Sequence, residues 1–454
     1  MPILTDSKNF IQNEFSNLNL GDERLNRRAL VVASTINANP AFSIPAMTDG
    51  NDGQLKAIYR FFQNPKVDDQ KLLQTHYLNT IDRMINYKGK ILLVCDSCFI
   101  SPAKGFDGLM TRGKGKDNCI RSHYCLAISE DGKHLLGILD IQFLSDPINR
   151  RHPELRDESD IWIFTAQNCI DLINMSSQGN KLLSRCIFVA DREADEFELI
   201  NFLKKSNLGF VIRSQYDRKI IFESNESKLN EIESFSKGHG STYTVTTLQK
   251  NKKVDVLVKR SVLRNVIFIP PITVEKSYLP IEVNIVLVQE VPGEINELKW
   301  RLITSENIDN SSNSQEIVTY YSHRWKIEEV NKGAKTGVRI EERQFTDASH
   351  CISFLAMAFV VAWRMVALRT VAEISPKTPI EEAFTSEEVA YMKEQTKEMD
   401  LPMINVKDAI YFIGKLGGFT DRYARPGWQI LWQGWMKFYE RVAGFTLAMK
   451  SLRG

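Results

Sequence analysis

Ile91-Leu92-Leu93-Val94-Cys95-Asp96 is a run of five apolar residues closed by a carboxylate. A run this short and this uniformly apolar reads as a strand buried on both faces, the pattern of a parallel sheet. Cys186-Ile187-Phe188-Val189-Ala190-Asp191 repeats it. Between the two lie strand-like runs at Tyr124 to Ser129 and Leu135 to Phe143, joined through Asp131-Gly132, a strong hairpin signal. A helix follows at Ile161 to Ile173. After Asp191 come a helix over Ala194 to Lys205 and a strand over Phe210 to Arg213. The order β-β-β-α-β-α-β predicts an α/β fold built on a mixed five-stranded sheet. Both aspartates fall at strand ends, where ligand sites of such sheets collect.

Outward from this core the texture changes. Residues 1–88 read as helical, with Leu25, Leu30, Val31, Val32 and Ile36, and then Leu55, Ile58, Tyr59 and Phe62, at helical spacing. Arg24, Arg27, Arg28, Lys56, Arg60 and Lys66 decorate these helices, either as solvated faces or as a small DNA-binding module. A Gly- and Lys-rich loop with Lys104, Arg112, Lys114, Lys116 and Arg121 follows the first strand. Residues 215–305 read as an inserted β region, with strands at Ser241 to Leu248, Val254 to Val258, Val266 to Ile269 and Ile281 to Glu290, and turns at Pro270-Pro271 and Pro292-Gly293. Residues 315–372 return to helix. Glu381 to Asp400 is acidic, and 401–454 is helical and rich in aromatics. These shifts divide the chain into a helical N-terminal domain (1–70), an α/β domain (71–372) and a helical C-terminal domain (373–454).

Composition sets outer limits. The 454 residues are 25% charged and 43% hydrophobic, which excludes a mainly disordered or collagen-like chain. Lys and Arg number 58 against 56 Asp and Glu, so the average charge announces no nucleic-acid partner. The average hides segments of opposite sign: residues 374–400 are acidic, whereas 213–264 and 401–454 are basic. Phosphate contacts need local cations, not a basic total. The apolar run Cys351 to Trp363 is shorter than the ~20 residues of a spanning helix and predicts a buried core helix, with no membrane partner. Residues 1–20 carry no secretory pattern, and the seven cysteines include one C-x-x-C, Cys95 and Cys98, without a second pair at zinc spacing. Reduced, buried thiols in a cytoplasmic protein are the expectation.

The segment Tyr321-Ser-His-Arg-Trp-Lys-Ile-Glu-Glu-Val-Asn-Lys-Gly-Ala-Lys335 carries the chemistry. On a straight helix Tyr321, Arg324, Glu328 and Lys335 fall within an arc of about 60°. Spacing alone also fits an amphipathic helix with i,i+4 ion pairs such as Arg324–Glu328. Asp96 and Asp191 add two strand-terminal carboxylates to Glu328. Three carboxylates suit two divalent ions ~3.5–4 Å apart acting on a phosphodiester, Mg²⁺ first, with Mn²⁺ able to substitute.

These residues resemble the bacterial cut-and-paste DDE transposases of insertion-sequence family four, the group of the composite kanamycin-resistance transposon. Its Y-x2-R-x3-E-x6-K signature stands here as Tyr321, Arg324, Glu328 and Lys335. Asp191-Arg-Glu-Ala-Asp195 resembles the second-carboxylate motif, Asp96 the first, and Leu298-Lys299-Trp300 the tryptophan segment. Leu20-Gly21-Asp22, Tyr59-Arg60-Phe61 with Asn64-Pro65, and Leu416-Gly-Gly-Phe419 extend the likeness to both ends. The resemblance implies an RNase H-like core in which Asp96, Asp191 and Glu328 are catalytic metal ligands. It places Tyr321, Arg324 and Lys335 on phosphates near the cut and Trp300 against an extruded base. Arg213, Arg27, Arg28 and Arg60 follow as further DNA contacts. The implied partners are double-stranded DNA, at inverted-repeat ends and at the target, and a second copy of the chain through the C-terminal helices. Asp195 reads as a surface helix charge, and Trp325 either as packing beneath the helix or as a neighbour of the base. Ser97-Cys98-Phe99 departs from the group's small hydroxyl residues. Two other readings are a catalytically silent DNA-binding dimer and a paired-carboxylate hydrolase such as a glycosidase; the latter leaves Arg324 and Lys335 without a task.

Overall fold

The structure is a computed structural model and describes residues 7–48, 50–112, 117–145, 155, 159–249, 252–272, 278–291, 298–397, 402–420, 422 and 425–453. Lys114 and Lys116 of the basic loop, the Pro292-Gly293 turn and Glu398 to Asp400 of the acidic stretch lie outside these residues.

The core strands are β1 (Ile91–Ile100), β2 (Met110–Arg112), β3 (Asp117–Ser129), β4 (Leu135–Leu144), β5 (Cys186–Ala190) and β6 (Gly209–Arg213). β4, β3, β1, β5 and β6 lie side by side in that order, with β1, β5 and β6 parallel and β3 antiparallel to its neighbours. This is the expected mixed sheet. The insertion contributes β7 (Lys219–Phe222), β8 (Asn225–Lys228), β9 (Lys237–Gly238), β10 (Tyr243–Gln249), β11 (Lys252–Phe268), β12 (Ile281–Glu290) and β13 (Lys299–Thr304). It does not form a separate layer. β13 pairs antiparallel with β6, and β12 and β11 follow, so one sheet runs through both parts. The strands read at Val254 to Val258 and Val266 to Ile269 are one strand, β11. Its pairing with β12 slips between Leu263 and Val266, where Asn265 adopts a left-handed φ of 54°. This bulge lets the polar stretch between the two apolar runs stay in the sheet.

Alternation along the strands divides the core into two faces. Leu92, Val94, Ile187, Val189, Val211 and Leu302 belong to one apolar cluster, with the helices Ser311–Ser322, Trp325–Lys332 and Ala348–Ile374. Leu93, Cys95, Phe188, Phe210 and Ile303 belong to the other, under the helices Ile161–Asn174 and Phe197–Lys205. Helix Ala348–Ile374 is long and apolar enough to cross a membrane, but its most apolar window is wholly buried inside the protein. It outruns the apolar stretch seen in sequence because Arg364 does not end it. The guanidinium lies over the Phe10 ring and donates to Ala383 O at 3.2 Å.

The N-terminal helices include Ser7–Phe15, Glu23–Ala38, Asp52–Phe62 and Asp69–Asn86. Asp22 caps the second through Arg24 N, which fixes where it starts. Val31, read as a core position, is exposed, while Ala29, Val32, Ala33 and Ile36 face inward. In the C-terminal part, Trp432, Trp435 and Phe438 of helix Trp428–Arg453 are buried within the chain itself, Trp435 stacking on Phe384. All seven cysteines are free and buried.

Candidate active site

The two-residue period of the buried face places the polar groups. Continuing Leu92–Val94 by one step gives Asp96; Ile187–Val189 gives Asp191; Val211 gives Arg213. Because Val94 is level with Val189, and Val189 with Val211, these three groups form one row across β1, β5 and β6. β1 does not end at Asp96, as the sequence suggested, but runs on against β3 to Ile100 after leaving β5 at Val94. The carboxylate therefore sits where the parallel pair parts, which opens space above the sheet. Asp191 caps the short turn Arg192–Ala194, accepting from Glu193 N at 2.9 Å.

Glu328 reaches this row from helix Trp325–Lys332. The expected single straight helix is absent. Helix Ser311–Ser322 ends with His323 as its cap, the next begins at Trp325, and Gly333–Gly337 is a π-turn. The break has a structural partner in the sheet: Tyr124 of β3 donates to Ile327 O at 3.0 Å and Asn331 Oδ1 at 2.8 Å, fixing the second helix over β1. Lys335 consequently pairs with Glu341 at 3.0 Å, not with Glu328. Glu341 also accepts from Ser101 N at 3.0 Å, so Lys335 marks the rim where β1 ends.

Arg324 holds the centre. Its Nη1 donates to Asp96 Oδ2 at 3.0 Å and its Nη2 to Glu328 Oε1 at 2.5 Å. Burial pushes the Asp96 carboxyl up to about 7; Arg324 opposes this, and Asp191 and Glu328 add to it. Two acids thus share one guanidinium, with Asp191 in their electrostatic field. Among the described residues, no group of three or more Asp, Glu, His or Cys is drawn together tightly enough to hold an ion, and here the guanidinium stands between Asp96 and Glu328. Tyr321 flanks the row. Its ring meets Trp300 edge to face at 4.9 Å, and burial raises its hydroxyl, with Arg324 and Arg213 acting against that rise. Trp300 lies on β13 and is 6% exposed. Trp325 is half-buried, with Lys326 Nζ over its ring at 4.4 Å.

Two readings of single residues change. Asp195 is not a surface charge. It is fully buried, paired with Arg218, and accepts from Gln215 N at 2.6 Å and Tyr216 N at 2.9 Å. Helix Phe197–Lys205 starts two residues beyond it, so Asp195 sits in a loop that it braces. Arg121 belongs to β3, not to the loop, and donates to Ser97 Oγ at 3.0 Å and 2.9 Å beside Asp96. Its strand partner Phe99 lies opposite in register, but nothing in the sequence alone joins Arg121 to Ser97. Arg27 and Arg60 are exposed on their helices and Arg28 is half-buried, well apart in sequence from the carboxylate row.

A family of transposase DNA-binding domains matches residues 7–67, and the transposase DDE domain matches residues 167–363. The chain carries the DNA-binding and DDE domains of a transposase. The DDE match contains Asp191, Trp300, Tyr321, Arg324, Glu328 and Lys335, and the DNA-binding match contains Arg27, Arg28 and Arg60. Asp96 lies before the DDE match, and the register with β5 is what joins it to the other two acids.

Proposed function

We propose that this transposase binds inverted-repeat DNA ends, cuts them by metal-dependent phosphodiester hydrolysis through a hairpin, and joins the freed 3′-hydroxyls to target DNA. The observation that carries the reading is that Asp96 and Glu328 share one guanidinium at the point where β1 and β5 part, with Asp191 beside Asp96 in the same row of the sheet. A carboxyl raised to about 7 by burial and by two acidic neighbours is a group that a cation would stabilise as its anion. Asp96, Asp191 and Glu328 would hold Mg²⁺ or Mn²⁺, which supply activation of the attacking oxygen and neutralisation of the leaving one. With a cation held by the carboxylates, Arg324 would be available to phosphate oxygens, for which a guanidinium fork is suited. Lys335, at the rim, and Arg213, beside Tyr321, extend the cationic track. Trp300 is assigned to stack on an extruded base, which requires Tyr321 to move off its ring. Arg27, Arg28 and Arg60 bind the end, and a homodimer joined by C-terminal helices brings two ends together.

The test incubates the full chain with repeat-ended duplex and Mg²⁺ and resolves the products on a denaturing gel. A nick followed by a hairpin is expected, and Asp191→Ala should bind ends at wild-type affinity without cutting. Cutting retained by Asp191→Ala would refute the assigned site. End binding without any cutting by the wild-type chain would favour a regulatory DNA-binding dimer instead.

A further inference from the structure

Helix Ala348–Ile374 ends beyond the matched DDE segment, and there Arg369 is 7% exposed. Its guanidinium stacks 4.1 Å above the Trp428 ring. Nε lies 3.2 Å from Glu373 Oε1, yet among the described residues neither Nε nor Nη1 completes a hydrogen bond. Glu373 is shared: the same Oε1 is 2.6 Å from Arg425 Nη1. Lys407 lines the same cavity, of about 240 Å³, walled by Pro376, Ile410 and Pro426. Lys326, paired with Glu329 at 3.9 Å, lies within the field of Arg369, Arg425 and Glu373. Among the described residues that line the cavity, three cations, Arg369, Arg425 and Lys407, face one carboxylate, Glu373. A buried guanidinium with open N–H groups is costly, and an unpaired surplus of charge more so.

We propose that this cavity is an oxyanion site that takes a phosphate group on Arg369, Arg425 and Lys407. The open edge of the Arg369 fork suits a tetrahedral oxyanion, Arg425 and Lys407 approach from other walls, and a surplus of two positive charges matches a phosphate dianion better than a carboxylate. The site is separate from the Asp96 row and stands whether or not that row cuts DNA. Arg369 and Arg425 act electrostatically on Lys326, which lies on the helix that carries Glu328, so occupancy bears on that helix. The phosphate has two sources, a DNA backbone or the free ion.

Thermal unfolding of the full chain in rising sodium phosphate, against sodium chloride of equal ionic strength, tests the site. Binding to the folded chain should raise Tm by about 2–4 °C near saturation. The doubly substituted Lys407→Gln, Arg425→Gln chain, altered only at partly exposed positions, should fold by circular dichroism and lose that rise. No rise beyond chloride in the wild type, or a full rise in the double variant, overturns the proposal. Asp191→Ala should keep the rise, which separates this test from that of the cutting site. A duplex oligonucleotide distinguishes the sources. If DNA supplies the group, the double variant binds duplex about tenfold more weakly and phosphate competes; if the free ion does, duplex affinity is unchanged while the rise persists.

Discussion

Asp96 and Arg324 form a pair whose balance is set by burial. The Asp96 carboxyl stands at about 7 against an ordinary 3.8. The folded chain therefore keeps a proton that the unfolded chain releases, and stability from this group is lost as pH rises from about 4 to 7. In chelator, Asp96→Asn should match the wild type near pH 4 and exceed it above pH 7, by an amount on the order of 4 kcal/mol; urea titrations at the two pH values measure the difference. Arg324→Gln acts in the opposite sense. It leaves Asp96 and Glu328 without their shared donor, so Tm in chelator should fall, and added Mg²⁺ should restore more than it adds to the wild type. Equal Mg²⁺ responses would show that the three acids do not share a cation. At this scale the sequence offered candidates and was poor about contacts. Asp96, Asp191 and Glu328 could be named as candidates from strand ends, spacing and the family likeness. The Arg121–Ser97 bond and the Lys335–Glu341 pair could not, because both depend on which side of a strand or turn a side chain leaves.

Helical periodicity gave the helices well but hid the break between Ser322 and Trp325. Residues 322–324 keep right-handed dihedrals, so no Gly or Pro announces it, and the Tyr124 anchor is distant in sequence. The π-turn after Lys332 has a tertiary cause that can be tested. A Cβ on Gly337 would meet the Trp432 ring at 1.7 Å, on a helix whose Ile430 O lies close to Gly417 and whose own Gly434 lies close to Ile413 O. Gly337→Ala should cost about 2–4 kcal/mol by chemical denaturation, and Trp432→Leu in the same chain should recover part of it. No cost would mean that helix Trp428–Arg453 does not bear on the turn. The insertion was legible as β structure but not as part of the main sheet. Strand runs report local propensity, whereas the β6–β13 junction is a long-range pairing that local patterns do not encode.

At the scale of the molecule, the segment matched as DNA-binding is not loosely tethered. Glu14, on the first helix, is buried against His76 and Arg83 of helix Asp69–Asn86, at 2.6 Å and 2.7 Å, and Arg83 lies over the Trp363 ring. Burial alone would raise the Glu14 carboxyl, but His76 and Arg83 hold it down to about 2. Burial keeps His76 itself below its usual value, with Glu14 acting against that fall. A depressed carboxyl contributes stability above about pH 4.5 that is lost as pH falls towards 2. Glu14→Gln should therefore cost on the order of 3 kcal/mol at pH 7 and little near pH 2, read by denaturation at both. A constant cost across that range would point to packing instead of charge. This tie crosses the sequence division drawn at residue 70, and a buried ion pair between distant helices leaves no local signature. The continuous sheet has one more consequence. From the strand of Asp96 to the strand of Trp300 there are three inter-strand steps, β1 to β5 to β6 to β13. At about 4.8 Å per step they span about 14 Å, a ruler graduated in backbone hydrogen bonds. Side-chain substitutions can change what is held at either mark, but not the distance between the marks.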